Sequence, residues 1–390
     1  MPVINRIAAF HDAMTAWRRD IHQHPELAYA EHRTAAKVAA LLRGFGVDEV
    51  VEGVGRTGVV GVLRNGPGRA IGLRADMDAL PIEELADRPH RSVHASTMHA
   101  CGHDGHTAML LGAARYLAEA RPFSGTVVLV FQPAEEGQAG AKAMIDDGLF
   151  DRFPMDAIYG VHNMPGQPAG SLAFSSGPVM AAADRFRVVL RGQGGHAAAP
   201  HLCKDPVVAA AALIQALQTV VARNASPAET LVLSVTEIHG GDAFNVIPDS
   251  VRVSGTVRYF DPQVGALARA RMGAIIDGIA AAHDVRAEFE YFHGYPPTIN
   301  WPEATEAARA AALAVAGPAA TLDQAPRMFA EDFSYFLQEK PGAYGFIGNG
   351  DGPDLGCTGL HNPHYDFNDA ILTAGASFFA TLVERELPAT

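Results

Sequence analysis

At 390 residues, with 48% hydrophobic and 19% charged residues, the chain is long enough for two or three packed domains and too apolar to be disordered. A net charge of −13 argues against nucleic acid or an anionic membrane surface as a partner. The cysteines, Cys101, Cys203 and Cys357, are too few and too odd in number for a disulfide framework and favour a reducing, cytoplasmic setting.

Ile4, Ile7, Ala8, Met14, Trp17 and Ile21 fall near helical spacing among polar residues, so the opening reads as a helix and not as a signal peptide. Pro25 in His22-Gln23-His24-Pro25-Glu26 ends it, and Glu31 to Phe45 reads as the next helix. Gly58 to Arg64 and Ala70 to Ala75 are β-rich runs separated by the turn Asn65-Gly66-Pro67-Gly68. The second run stops in Asp76-Met77-Asp78-Ala79-Leu80-Pro81. A histidine-rich stretch, Met98 to Thr107, precedes a helix from about Gly105 to Ala120 that Pro122 stops. Thr126 to Phe131 is a continuous apolar run, the mark of a strand buried on both faces, and it ends in Gln132-Pro133-Ala134-Glu135-Glu136-Gly137. Ala141 to Asp147 reads as a helix, and Ala157 to Val161 as a short buried strand ending in His162-Asn163.

The texture changes near Asp184. Arg185 to Arg191 alternates as a strand, Asp205-Pro206 opens a helix to about Asn224, and Thr230 to Ile238 and Ser250 to Tyr259 read as strands. Pro262 to His283 is a helix and Val285 to Tyr291 a last strand, giving the ferredoxin-like order β-α-β-β-α-β. After Pro296-Pro297 the helix–strand style returns: a helix from Trp301 to about Val315, Glu331 to Leu337, a strand at Ala343 to Ile347, and a closing helix from Asp369 to Glu386. The expected fold is therefore α/β: a mixed, largely parallel sheet flanked by helices over residues 1–183 and 296–390, interrupted at 184–295 by a ferredoxin-like α+β domain. The longest apolar run, Val207 to Ile214, falls short of the ~20 residues of a membrane span, so no membrane partner is expected.

Three predicted buried strands each deliver acidic or histidine residues just past their C-terminal ends: Asp76 and Asp78, Glu135 and Glu136, and His162. Ligands of open α/β sheets sit in the crevice at those ends, so these residues converge. With Cys101 and His103 from the histidine-rich stretch and the late His361, they form a set of soft, imidazole and carboxylate donors suited to a transition metal such as zinc. One ion would use nearly all of them; two would need a bridging ligand, which a thiolate can be. Side chains adjacent in an extended segment point oppositely, so one of Glu135 and Glu136 is free to bind metal while the other faces a water as general base. Alternation likewise aims Asp76 or Asp78 at the site, as an orienter of His103. Cys101 as a nucleophile, and a binding protein without activity, are the other readings the residues leave open. His106 reads either as the start of a helix or as a residue behind the ligands, and His24, His32 and His90 receive no role.

These motifs resemble the M20 metallopeptidase family, specifically its amidohydrolase branch of hippurate hydrolases, N-acyl-amino-acid deacylases and auxin-conjugate hydrolases. The resemblance spans nearly the whole chain: His22 to Glu26, Leu73 to Pro81, Met98 to Thr107, Phe131 to Gly137, Val161 to Asn163, Gly194 to His201, Asn245 to Asp249 and Leu360 to Asn368. It implies a zinc-exopeptidase-like fold and two divalent ions, with zinc, manganese, nickel and cobalt all used within the branch. Cys101, His103, Glu136, His162 and His361 are the implied ligands, and Glu135 the base. Most of the wider family has His-x-Asp at the first strand end and an aspartate as bridge; here Asp76 stands at that histidine's place and Cys101 and His103 are supplied instead. The inserted domain resembles the family's lid or dimerisation domain, which implies a homodimer. His196 after Gly194-Gly195 is then implied as an oxyanion stabiliser, often reaching from the partner subunit. Asn245 and Arg258 match positions that hold a substrate carboxylate, with a structural ion pair as the rival for Arg258. The implied activity is hydrolysis of an N-acyl-amino acid, with a dipeptidase or exopeptidase on the same scaffold as the alternative.

Overall fold

The structure, a computed structural model, describes residues 3–318, 320–322, 324–352 and 356–389. The chain divides into two compact units, one of residues 1–179, 299–325 and 332–390, the other of 180–298 and 326–331.

The first unit is built on a seven-stranded sheet, in spatial order Glu49–Val54, Gly58–Asn65, Gly125–Gln132, Ala70–Asp76, Ala157–Pro165, Gly342–Gly350 and Leu172–Ala173. Its four central strands, 125–132 through 342–350, run parallel, and the outer pairs are antiparallel. The apolar runs form these strands because both faces are covered; Gly342–Gly350 is buried at every position. The helix His103–Ala120 is buried on nearly all sides, which is why it lacks a clean polar stripe. It packs on Ala70–Asp76 and against the helices His11–Gln23 and Leu372–Glu386.

Several elements differ from the sequence expectation. The opening helix is two, Asn5–Ala8 and His11–Gln23. The edge strand Glu49–Val54 was not foreseen; it is only half-buried, with Gly53 at φ 81° bulging the ladder, so it shows no apolar run. Gly125–Gln132 inserts between Gly58–Asn65 and Ala70–Asp76, which are neighbours in sequence but not in the sheet. Ala157–Pro165 runs past Val161 because Gly342–Gly350 pairs with it along its length, Phe346 opposite His162; His162 thus lies inside a strand and not beyond its end.

The second unit carries a four-stranded antiparallel sheet, in order Leu231–His239, Ser250–Tyr259, Asp184–Arg191 and Arg286–Phe292. That is the ferredoxin-like arrangement. Along Asp184–Arg191 burial alternates, with Phe186, Val188 and Leu190 in the core. Both helices start alike: Asp205 caps Val207 N at 2.8 Å and Asp261 caps Gln263 N at 2.7 Å, each followed by a proline whose fixed φ suits the first turn. The first helix, Pro206–Thr219, continues into a π-helical turn, Val220–Asn224. Together, Pro206–Asn224 is 19 residues with a mean hydropathy of 1.4, long and apolar enough by itself to cross a membrane, contrary to the shorter run read from sequence. Its inner residues Ala209, Ala210, Leu213 and Leu217 belong to the core of this unit.

Asp184 is the polar anchor of that unit. Buried at the start of its strand, it accepts Tyr259 Oη at 2.8 Å, Tyr291 Oη at 2.9 Å and Gly294 N at 3.0 Å. Burial and the facing carboxylate push both phenols well above their ordinary range. An Asp184→Ala chain leaves these donors without an acceptor, and urea unfolding should show it about 3 kcal/mol less stable than the parent. Asp184→Asn, which keeps one carbonyl acceptor, should lose less.

Candidate metal centre

The histidine-rich stretch enters its helix through Gly102, at φ 86°. A Cβ there would lie 2.4 Å from Asn163 Nδ2 and 2.4 Å from Tyr365 Oη, so only glycine fits between Cys101 and His103. Gly105 is confined for a different reason: a Cβ would sit 2.2 Å from the Phe367 ring. His103 is the first residue of the helix, one turn ahead of His106.

Glu135 and Glu136 do not lie in an extended segment. Ala134 at φ 53° and Ala139 at φ 55° bracket a tight turn, Glu135–Gln138, so the two side chains are not separated by strand alternation. The turn is held by carboxylates from afar. Asp78 Oδ1 accepts Glu135 N at 3.0 Å and its Oδ2 accepts Glu136 N at 2.9 Å, while Glu31 Oε1 accepts Ala134 N at 2.8 Å. Glu135 is buried and Glu136 half-buried.

Around this turn the structure brings together Asp78, Cys101, His103, Glu135, Glu136, His162 and His361. Ligand atoms of Cys101, His103 and His162 lie within 4.8 Å of one another, as do those of Cys101, Glu136 and His361, so the thiol belongs to both triads. Cys101 Sγ is 3.5 Å from His162 Nε2, and His361 Nε2 is 3.0 Å from Glu136 Oε1, as a charge contact without hydrogen-bond geometry. The first triad is wholly buried; His361, at φ 62°, is half-exposed at the rim.

Hydrogen bonding assigns the imidazoles. His162 Nδ1 donates to Asn163 O at 2.7 Å, which leaves the Nε2 lone pair towards the thiol. His103 Nδ1 lies 3.2 Å from Asp78 Oδ1, and its buried Nε2 has no hydrogen-bond partner. Burial depresses His162 well below the usual histidine value, and the neighbouring imidazoles add to it. Burial also pulls on His103, but the carboxylates of Asp76 and Asp78 outweigh it and lift the ring to about 10. The Cys101 thiol is pushed well up by burial and by Glu136, Glu135 and Asp76. An orphaned buried imidazole nitrogen, a thiol shared by two triads and crowded carboxylates are the donor chemistry of a transition-metal site, and the residues fit such ions.

Asp76 is not among the atoms left open. Its Oδ1 is 2.6 Å from His106 Nδ1 and its Oδ2 accepts Arg74 Nη1 at 2.8 Å. Asn163 and Glu31 are buried residues to which the sequence assigned no role, and His106, read as a helix start or a residue behind the ligands, is buried in the second of those places. The spacing of His103 and His106 along one helix was a usable signal for His106; Glu31 carries none.

The other candidates lie in the second unit. His196 is exposed on a two-residue strand, Gly195–His196, paired with Val246–Ile247, and not on an open loop. Asn245 accepts Ala197 N through its carbonyl at 3.0 Å, which sets it beside His196. His196 Nδ1 accepts Ala198 N at 3.0 Å, so the proton is on Nε2, available for donation. Arg258 is half-buried on Ser250–Tyr259. Among the described residues no carboxylate stands within ion-pair distance of it; Asp184 favours its charge, but that carboxylate is engaged by the two tyrosines.

The model of peptidase family M20/M25/M40 matches residues 72–385. A hippurate hydrolase of Campylobacter jejuni is 43% identical over 95% of this chain and 95% of its own. A thermostable carboxypeptidase of Saccharolobus solfataricus is 39% identical, over 97% of this chain and 96% of its own. Among solved structures, a Bacillus subtilis protein described as a dinuclear metal-binding peptidase of the M20 family superposes with a TM-score of 0.84 at 34% identity, covering 96% of this chain and 98% of that one.

The crowding at Gly102 has a measurable consequence. Gly102→Ala adds a Cβ in the left-handed region against Asn163 and Tyr365, which should cost at least about 2 kcal/mol of stability. The melting temperature should fall, and less zinc should co-elute on gel filtration.

Proposed function

Because the chain belongs to peptidase family M20/M25/M40, in the branch that holds hippurate hydrolase, we propose that it hydrolyses the amide bond of N-acyl-amino acids at a centre of two divalent ions. The observation that carries this reading is the Cys101 thiol common to two ligand triads, beside a buried glutamate. Cys101, His103, His162, Glu136 and His361 would hold the ions, Cys101 being the residue common to both triads. Zinc or manganese, with nickel or cobalt as substitutes, would polarise the amide carbonyl and acidify a water.

The chain's own residues do the rest. Glu135, on a backbone fixed by Asp78, takes a proton from the attacking water and returns it to the amide nitrogen. Water adds to the carbonyl carbon, the C–N bond breaks, and a carboxylic acid and a free amino acid leave. Asp78 holds His103 through Nδ1, which leaves its Nε2 without a hydrogen bond and would let it serve as a ligand. His196, with its proton on Nε2, donates to the developing oxyanion. Arg258, without a carboxylate at ion-pair distance among the described residues, and Asn245 bind the substrate carboxylate. We place this enzyme in the cytoplasm as a homodimer in which His196 serves the partner's centre; the free thiols of Cys101, Cys203 and Cys357 suit a reducing compartment.

A second reading, exopeptidase action, is favoured by the carboxypeptidase relative, since a peptide bond is the same amide. A panel of hippurate, N-acetyl-amino acids and dipeptides separates the two: the first two should be cleaved with higher kcat/KM, and a preference for dipeptides would reverse the assignment. Glu135→Gln should lower kcat by roughly 10²–10⁴ with bound metal unchanged; a variant of full activity removes Glu135 as the base. Chelation should abolish turnover and added zinc or manganese restore it. Mixing His196→Ala with Glu135→Ala chains should regain part of the activity, and an inactive, verified heterodimer would place His196 with its own subunit's centre.

A further inference from the structure

His106 is buried three residues beyond His103, touches no solvent, and has no part in the mechanism above. Its Nδ1 is 2.6 Å from Asp76 Oδ1, while Asp76 Oδ2 accepts from the buried guanidinium of Arg74 at 2.8 Å. Both carboxylate oxygens are thus acceptors, so the proton is on His106 Nδ1 and its Nε2 must accept. It does: Asn163 N donates to it at 2.9 Å, and Asn163 Nδ2 lies 3.0 Å away. Asn163 Nδ2 also donates to Cys101 O at 2.6 Å, and Tyr365 Oη donates to Asn163 Oδ1 at 2.7 Å, which settles which end of the amide is nitrogen. Donor directions therefore run without conflict from Arg74 into Asp76, and from Asn163 through His106 into the same carboxylate.

We propose that Asp76, His106 and Asn163 form a directional relay that positions two metal ligands at once, Cys101 through its carbonyl and His162 through the amide that follows it. His106 is a positioning residue in this relay, and Asp76 is its anchor and not a ligand. The inference rests on the metal-centre reading above. Several contacts leave the relay no slack. The His106 and His162 rings meet edge to face with centroids 4.6 Å apart, and Gly102 fits only because it has no Cβ to strike Asn163 and Tyr365. Ligand direction then depends on which imidazole nitrogen of His106 accepts, and the Arg74–Asp76 pair fixes that choice. Residues that orient ligands in this way are worth about 10–100-fold in metal affinity.

The relay is tested by two near-isosteric variants that each keep one half of the imidazole. His106→Gln places an acceptor where Nε2 was, whereas His106→Asn keeps a donor towards Asp76 and offers Asn163 nothing. Competition with a zinc chelator dye should show His106→Asn binding zinc about 10–100-fold more weakly than the parent. His106→Gln should stay within about threefold of it. With cobalt at saturation, the visible bands of His106→Asn should shift and those of His106→Gln should match the parent. Parent-like zinc affinity and cobalt bands in His106→Asn overturn the relay. So does the loss of one whole equivalent of metal from both variants, which would make His106 a ligand. Where His106→Asn does not fold, Asn163→Asp, which removes the donor to Cys101 O, should show the same weakening, and parent affinity there counts against the relay. Cys101→Ser controls the underlying reading: the thiolate-to-cobalt band should vanish, and its persistence would assign the ligand thiol elsewhere and overturn the Cys101 site on which the relay rests.

Discussion

One carboxylate sets the geometry on which the candidate centre depends. Asp78, two residues beyond the strand Ala70–Asp76, takes the amides of both Glu135 and Glu136 and faces Nδ1 of His103. Three parts of the chain that are remote in sequence thereby share one reference point. The two amides sit in a turn that pairs with no strand, so without Asp78 they would be buried donors lacking partners, each costing about 1–3 kcal/mol. The amides are bound by different oxygens, so an asparagine in the same pose would turn its NH2 towards one of them; a carboxylate suits both. The same clamp adjoins the left-handed backbone at Ala134. Non-glycine residues hold such conformations only where surrounding bonds over-determine them, and Glu31 on Ala134 N completes that hold from the other side.

How much of this could be read from the sequence follows from the range of each interaction. Strands buried on both faces announce themselves as apolar runs, and the helices of the second unit by Asp-Pro at their starts, because both signals are local. The candidate donors were legible by type, and Asp78 and the Glu135–Glu136 pair also by their place past a strand end. The order of strands was not, since an apolar run does not name its neighbour: Gly125–Gln132 slips between two strands that a short turn separates. Nor was the Glu135–Glu136 turn, whose shape is imposed by a carboxylate more than fifty residues earlier in the chain. His162 was expected just past a strand; the ladder that extends the strand through it comes from Gly342–Gly350. His106 and Asn163 are adjacent or near-adjacent to candidate ligands, yet which atom donates to which is decided only by three-dimensional contacts.

Two buried arginines, on different sides of the centre, carry the remaining constraint. Arg74 reaches Asp76, Gln132 and Asp332 from within the sheet. Arg18, on the helix His11–Gln23, bonds Asp369 at 2.6 Å and Asp366 at 2.9 Å and lies 3.5 Å from Asp104, the neighbour of His103. His22 adds a bond to Asp104 at 2.8 Å. Burial opposes these charges, and the carboxylates outweigh it for both Arg18 and His22, whose protonated forms are favoured. Such buried pairs contribute little net stability, because desolvation offsets most of their attraction. What they supply is direction. One network fixes the end of a strand, the other the start of the helix that begins with His103 and the segment that follows His361. Arg74 also offsets the charge of Asp76, one of the carboxylates near Cys101. The candidate ligand residues are thus oriented by side chains outside their own set.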